Sequence, residues 1–245
     1  MEAAKAGRPD RRIALLDVLR GFSILLMVAH HIGFDLISLG VMPAWVLYNA
    51  EGTGSNLPLA ILHPVFAGTF IALSGTSSQF SRSNWRRGFI MAGVAMGIPL
   101  VTVVIQMPIY FGIIHFLAVS TLLYAALRPA IDKIPRLAQP FLFFAAFLFA
   151  YQILPVNLGQ PWLFWLGLGV GPESYDYFPL LKWFFIYLFG TWFGGVITGG
   201  KLPGRFYTFD IPPLSWIGRH SLAIYLLHQP VLFGLWWVLG QAGVL

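Results

Sequence analysis

Residues Leu15 to Leu39 read LLDVLRGFSILLMVAHHIGFDLISL, and this stretch decides the fold. A run this long with almost no breakers reads as a transmembrane helix, because crossing the hydrocarbon takes about 20 apolar residues. A plain anchor would carry no polar groups at that depth, yet this one carries Asp17, Arg20, His31 and Asp35. Each is costly in lipid unless it is paired or functional. With a helical step of about 100° and Asp17 set at zero, Arg20 falls at roughly −60°, His31 at roughly −40° and Asp35 back at roughly 0°. The four share one stripe. His30 lies about 100° from His31, so the doublet is not two equivalent ligands, and His31 is the member on the stripe. At about 1.5 Å of rise per residue, Arg20 and His31 stand roughly 16 Å apart along the axis, one near a membrane surface and the other deep. That spacing suits a long substrate with a charged head and a buried reactive end. The structural alternative is an i,i+3 ion pair between Asp17 and Arg20 and an i,i+4 hydrogen bond between His31 and Asp35 that merely hold a bundle together. Against it stands the number of polar groups on one face, since residues that only glue membrane helices are usually single and uncharged.

The rest of the chain agrees with a membrane setting. Of 245 residues 58% are hydrophobic and only 10% charged, which fits a polytopic membrane protein and not a soluble domain. The absence of cysteine removes disulfides, thiolate nucleophiles, iron–sulfur clusters and cysteine-ligated zinc, and no metal site is expected. A net charge of +6 would suggest nucleic acid in a soluble protein. Here the basic residues fall in short loops, which is a topology signal, and no nucleic-acid partner is implied. The polar, basic residues 1–12 are followed by a run too long and too polar for a cleaved signal peptide, so the first span is expected to stay as a signal anchor.

Seven spans can be drawn, at about 14–39, 59–80, 87–106, 109–128, 138–155, 179–198 and 216–239. The basic segments are the N-terminus (Lys5, Arg8, Arg11, Arg12), the turn with Arg82, Arg86 and Arg87, the turn with Arg128, Lys133 and Arg136, and the stretch with Lys201, Arg205 and Arg219. All fall on one side. The other side holds the 40–58 loop with Glu51, the tight Gln106-Met107-Pro108 turn and the 155–178 loop with Glu173 and Asp176, with Lys182 as the exception. The positive-inside rule then makes the N-terminus cytoplasmic, and an odd number of spans sends the C-terminus outside. The aromatic, Gly/Pro-rich 155–178 stretch is too interrupted to span and is expected to cap the outer face as a short interfacial helix or re-entrant segment. The expected fold is thus all-α, a polytopic membrane bundle of about seven helices, with a cytoplasmic tail over 1–12 and one transmembrane domain over 13–245.

On this topology His31, His63, His115 and His228 all fall in the outer half with Asp35, whereas His220 beside Arg219 reads as a helix-start residue. A lone histidine in a span is otherwise explained by an interhelical hydrogen bond, and His63 by an interfacial position. Their common depth argues for a site. Histidine is the usual general base near neutral pH, and a carboxylate one turn away can fix its tautomer, so His31 with Asp35 is the expected pair. A water-poor setting would shield a reactive acyl donor from hydrolysis. In the inner half, Arg20 with Arg82, Arg86 and Arg87 could clamp phosphates, although loop arginines need no ligand to explain them. Ser74-Gly75-Thr76-Ser77-Ser78 is a small, hydroxyl-rich patch that allows close approach of a helix or a ligand, without the lysine or spacing of a P-loop.

Asp17-Val-Leu-Arg20-Gly21, with ten residues between Arg20 and His31, resembles the Arg-x10-His signature of acyltransferase-3 type membrane enzymes. Phe70-Ile-Ala-Leu-Ser-Gly75-Thr-Ser-Ser78, Tyr110-Phe-Gly-Ile-Ile-His115-Phe, Asp176-Tyr-Phe-Pro-Leu-Leu-Lys-Trp183 and His220-Ser-Leu-Ala-Ile-Tyr-Leu-Leu-His228-Gln-Pro230 resemble the heparan-alpha-glucosaminide N-acetyltransferase catalytic-domain-like family of bacterial membrane proteins, in order over nearly the whole chain. The resemblance implies transfer of an acetyl group from cytoplasmic acetyl-CoA to an acceptor across the membrane, an amine or hydroxyl of a sugar-like molecule. It implies a multi-pass protein of the bacterial inner membrane. Arg20 and His31 match the signature positions, and His115, Asp176 and His228 match the family's polar motifs. His31 and His63 both stay open as the counterpart of the namesake's catalytic histidine, and the outer loops are small for gripping a long polysaccharide.

The sequence therefore reads as an acyltransferase in which Arg20, Ser74, Gly75, Arg82 and Arg86 bind the donor. His31 takes a proton from the acceptor, Asp35 orients it, His115 or His228 polarises the acyl carbonyl, and His63 and Asp176 meet the acceptor. Direct transfer and an acyl-histidine intermediate are both open. Two other classes compete. One is a haem-binding electron-transfer bundle with axial histidines from facing spans. The other is a proton-coupled transporter using the His/Asp stripe as a relay, against which the missing inverted repeat counts. The aromatic sixth span, from Trp183 to Trp192, reads equally as a lipid-facing surface or as the interface of a homodimer.

Overall fold

The stretch quoted first forms α1, Ala14–Ser38, a single uninterrupted helix of 25 residues. A computed structural model describes residues 12–49, 55–104, 106–152 and 158–244, so Glu51 and the basic residues Lys5, Arg8 and Arg11 lie outside the described residues. The remaining helices are α2 (Leu57–Ser77), α3 (Asn84–Val104), α4 (Ile113–Ile131), α5 (Gln139–Gln152), α6 (Leu180–Thr198), α7 (Gly204–Thr208), α8 (Pro212–Arg219) and α9 (Ser221–Gln241). Among the described residues there is no β-strand, only two isolated bridges. Six of the helices are long and apolar enough to cross a membrane, and α5, at 14 residues, is the shorter apolar one. The all-α membrane bundle expected from the sequence is what forms.

One expected span is redrawn. The run 216–239 is two helices, broken at His220, whose backbone (φ −102, ψ 14) leaves the helical region and whose N–H bonds back to the carbonyls of Trp216 and Ile217. Pro212 and Pro213 start α8, as proline does at a first helical turn, where its missing N–H costs nothing.

The chain forms two compact units, one of residues up to Phe70 together with those from Leu202, the other from Ile71 to Lys201. In the first unit α8 lies antiparallel across the start of α1. A Cβ on Gly21 would stand 2.0 Å from the Leu214 carbonyl oxygen and one on Gly218 would stand 1.8 Å from that of Asp17, so the two backbones touch and only glycine fits. Ile24, Leu16 and Val18 of α1 are buried. α9 then runs parallel to α1: Gly218, just before it, meets Asp17, its His228 meets His31, and its Trp236 meets Asp35.

In the second unit α3 packs on α4 and α5 on α6. The end of α2 crosses α6 at Gly75, where a Cβ would meet the Tyr187 carbonyl oxygen at 2.1 Å, and Thr76 Oγ1 reaches the Gly190 carbonyl at 3.0 Å. The 155–178 region carries a short 3-10 helix, Pro161–Leu166, and its end is strapped to the turn before α4. Tyr175 N–H donates to the Pro108 carbonyl (3.1 Å) and Phe178 N–H to that of Phe111 (3.0 Å).

Candidate functional site

In the first unit four imidazoles form a row drawn from three helices. His63 of α2 and His30 of α1 have ring centroids 5.6 Å apart, His30 and His31 are again 5.6 Å apart, and His31 and His228 of α9 are 4.9 Å apart. The helical phase separates the doublet as expected, and each member has its own partner: His30 looks to α2, His31 to α9. Both rings of the closest pair are fixed in the same way. His31 Nδ1–H donates to the Met27 carbonyl at 2.9 Å and His228 Nδ1–H donates to that of Tyr225 at 2.6 Å. A carbonyl can only accept, so the proton of each neutral ring sits on Nδ1 and the lone pair on Nε2. His228 Nε2 is buried and has no hydrogen-bond partner among the described residues.

Asp35 is 5% exposed and accepts the Trp236 Nε1–H at 2.9 Å. The one-turn hydrogen bond between His31 and Asp35 is thus replaced by two others. The His31 ring turns back along its helix to the i−4 carbonyl, while the carboxylate turns to α9, where it lies within electrostatic reach of His228. Nearly four turns before the histidines, Asp17 is 2% exposed and holds two guanidinium groups, Arg20 NH1 on Oδ1 and Arg12 Nε on Oδ2. The i,i+3 ion pair weighed from the sequence therefore forms, with Arg12 as a second cation.

The other site residues belong to the second unit. Asp176 Oδ2 accepts the Ile113 N–H at 2.9 Å, so a carboxylate from a distant loop caps the start of α4, where negative charge is favoured. His115, two residues further on, lies within electrostatic reach of Asp176, and its Nδ1 is buried with no hydrogen-bond partner among the described residues. Beside it the Tyr177 hydroxyl donates to the Phe164 carbonyl at 2.7 Å, and burial pushes its pKa up from the ordinary tyrosine value. Gly75 faces α6 backbone and is closed to a ligand, whereas Ser74 Oγ accepts Arg87 NH2 at 2.8 Å. Arg82 and Arg86 are exposed.

His31, His63, Asp35 and His228 are thus brought together, with Arg20 further down α1, while His115, Asp176, Ser74, Gly75, Arg82 and Arg86 sit in the second unit. Sequence reasoning missed Trp236, Arg12 as a partner of Asp17, and His30 as a member of the row. Trp236 carried no signal, being one aromatic among many in an apolar helix; Arg12 stood one turn ahead of Asp17 and was readable.

The family model described as heparan-alpha-glucosaminide N-acetyltransferase, catalytic, matches residues 12–230. Comparison with curated proteins and with solved structures gives no match.

Proposed function

The chain belongs to the heparan-alpha-glucosaminide N-acetyltransferase catalytic family, a family of membrane acetyltransferases, and from that premise we propose that it moves an acetyl group from acetyl-CoA on the cytoplasmic side to an amine or hydroxyl of a sugar-like acceptor on the other. The observation that carries this reading is the His31–His228 pair inside a chain of that family, two rings 4.9 Å apart with both Nδ1 atoms tied down. The family match speaks for transfer chemistry and lends nothing to the electron-transfer or transport readings.

In this reading an Nε2 of the pair takes the proton of the acceptor's N–H or O–H as its heteroatom attacks the thioester carbonyl. The C–S bond breaks, and the thiolate takes that same proton from the imidazolium, so the ring ends as it began. A neutral His228 with Nδ1–H committed has only a lone pair at Nε2. It acts as a second base, and polarises a carbonyl only after it has been protonated. Asp35, aimed by Trp236, balances the cation that forms near His228.

Purified full-length protein incubated with labelled acetyl-CoA and a panel of amino sugars should yield acetylated product. His31→Gln and His228→Gln should each lower the rate by about a hundredfold or more, the usual worth of a general base. Full activity in both variants would remove the mechanism. Acid-quenching the enzyme with labelled donor and no acceptor separates the two routes, since only an acetyl-histidine leaves label on the chain.

A further inference from the structure

The transfer described above leaves one developing charge without a partner. As the acceptor's heteroatom adds to the thioester carbon, the carbonyl π pair moves onto oxygen, and that oxyanion needs a hydrogen-bond donor until the pair returns and the C–S bond breaks. His31 and His228 each spend their N–H on a backbone carbonyl, and Trp236 spends its N–H on Asp35. None of these three side chains has a donor left while the rings are neutral.

Gln229, next to His228 in the His228-Gln229-Pro230 stretch, carries one. With His228 set at zero and a helical step of about 100°, Leu232 falls at roughly 40°, Trp236 at roughly 80° and Gln229 at roughly 100°. His228 and Trp236 both meet α1, and Leu232 between them is buried, so Gln229 stands on the same inward arc of α9. The parallel register that sets Trp236 against Asp35 sets Gln229 against Val28, each two turns earlier on its helix. Ile24, Val28 and Ile32, the α1 residues around that level, have no polar side-chain atom to offer. Gln229 Oε1 is accordingly buried with no hydrogen-bond partner among the described residues, as His228 Nε2 is. A buried carboxamide left unpaired costs free energy, and in apolar surroundings such a group calls for a use. Its N–H₂ and its oxygen exchange places by a half-turn about the last side-chain bond, so the buried end can present either a donor or an acceptor.

We propose that the Gln229 carboxamide donates an N–H to the acyl oxygen at the His31–His228 pair, holding the oxyanion while the imidazole holds the acceptor's proton. The assignment rests on the reading given under Proposed function. An amide donor needs no prior protonation, unlike His228, and it leaves both Nε2 lone pairs to act as bases.

The test uses full-length protein in neutral detergent with labelled acetyl-CoA and the acceptor panel. Gln229→Leu should lower kcat by about a hundredfold or more, the usual worth of one oxyanion donor, and leave both KM values within about threefold of wild type. A second readout is the carbonyl itself. The ketone analogue of acetyl-CoA with CH₂ in place of the thioester sulfur, ¹³C-labelled at the carbonyl, should show a lower C=O stretching frequency on wild type than on Gln229→Leu, because a hydrogen bond weakens that bond. A wild type that transfers no acetyl would overturn the reading under Proposed function and this assignment with it. An active wild type matched in kcat and in carbonyl frequency by a folded Gln229→Leu would overturn this assignment alone. So would an unchanged kcat with a raised KM for the acceptor, which would put the amide on the acceptor instead. If Gln229→Leu fails to fold, Gln229→Met, closer in length and equally without a donor, decides on the same terms.

Discussion

Asp17 shows how little of a buried charge's role is written beside it. It is 2% exposed and bonded to two guanidinium groups, one from Arg20, 18% exposed, and one from Arg12, 61% exposed. Removing the anion leaves two cations facing each other at the start of α1, and breaking a buried ion pair from one side costs about 3 to 5 kcal/mol. Because Arg12 is largely in solvent, the lower end is expected, so Asp17→Asn should melt several degrees below wild type in the same detergent. Arg12→Ala should cost no more than about 1 kcal/mol, in the range of a surface pair. Equal melting of the two variants would show that Asp17 carries no such load. The polar stripe itself was readable, because Asp17, Arg20, His31 and Asp35 repeat at the helical period on one uninterrupted helix. Their partners were not, because Trp236 and His228 reach α1 from about two hundred residues away, and a spacing rule sees only its own helix.

At the level of helices, glycine decides where α1 meets α8. The Leu214 and Asp17 carbonyl oxygens occupy the space of the missing Cβ atoms of Gly21 and Gly218, and the obstacle is backbone, which cannot swing aside as a side chain can. Gly21→Ala should therefore part the two helices, costing about 1 to 3 kcal/mol or more as overpacking does. Gly93→Ala and Gly97→Ala in α3, where nothing stands within 4 Å, should be neutral or slightly stabilising through helix propensity. Thermal midpoints of the three variants check this, and a Gly21→Ala protein as stable as wild type would contradict the contact. Hydropathy saw none of this geometry. His220, read as a helix-start residue, does stand at the start of α9, but the span was drawn back to Trp216 across Gly218-Arg219-His220-Ser221, so one span was drawn where α8 and α9 are separate. The start of α8 was legible in Pro212-Pro213, and it was the longer apolar signal that hid it.

The number of bilayer crossings constrains how the first and last spans can run. Counted along the sequence, six crossings would leave the first and last of them antiparallel, and seven would leave them parallel. α1 and α9 meet at His31 with His228 and at Asp35 with Trp236, positions that rise together on both, so the two helices are parallel. That direction favours a seventh crossing, and we propose α5, the shorter apolar helix among the described residues, as the segment that supplies it, short as its 14 residues are against the roughly 20 of a full span. With α5 crossing, Arg82, Arg86, Lys133, Lys201 and Arg205 would fall in the segments that the positive-inside rule makes cytoplasmic. The absence of cysteine makes this directly measurable, because each introduced thiol is the only one in the chain. Ser83→Cys and Lys201→Cys should react with an impermeant maleimide from the cytoplasmic side alone, and Ala242→Cys from the opposite side alone. With α5 not crossing, Lys201→Cys would label opposite to Ser83→Cys and Ala242→Cys would join the latter, an outcome that would force α1 and α9 antiparallel against the register of their two contacts.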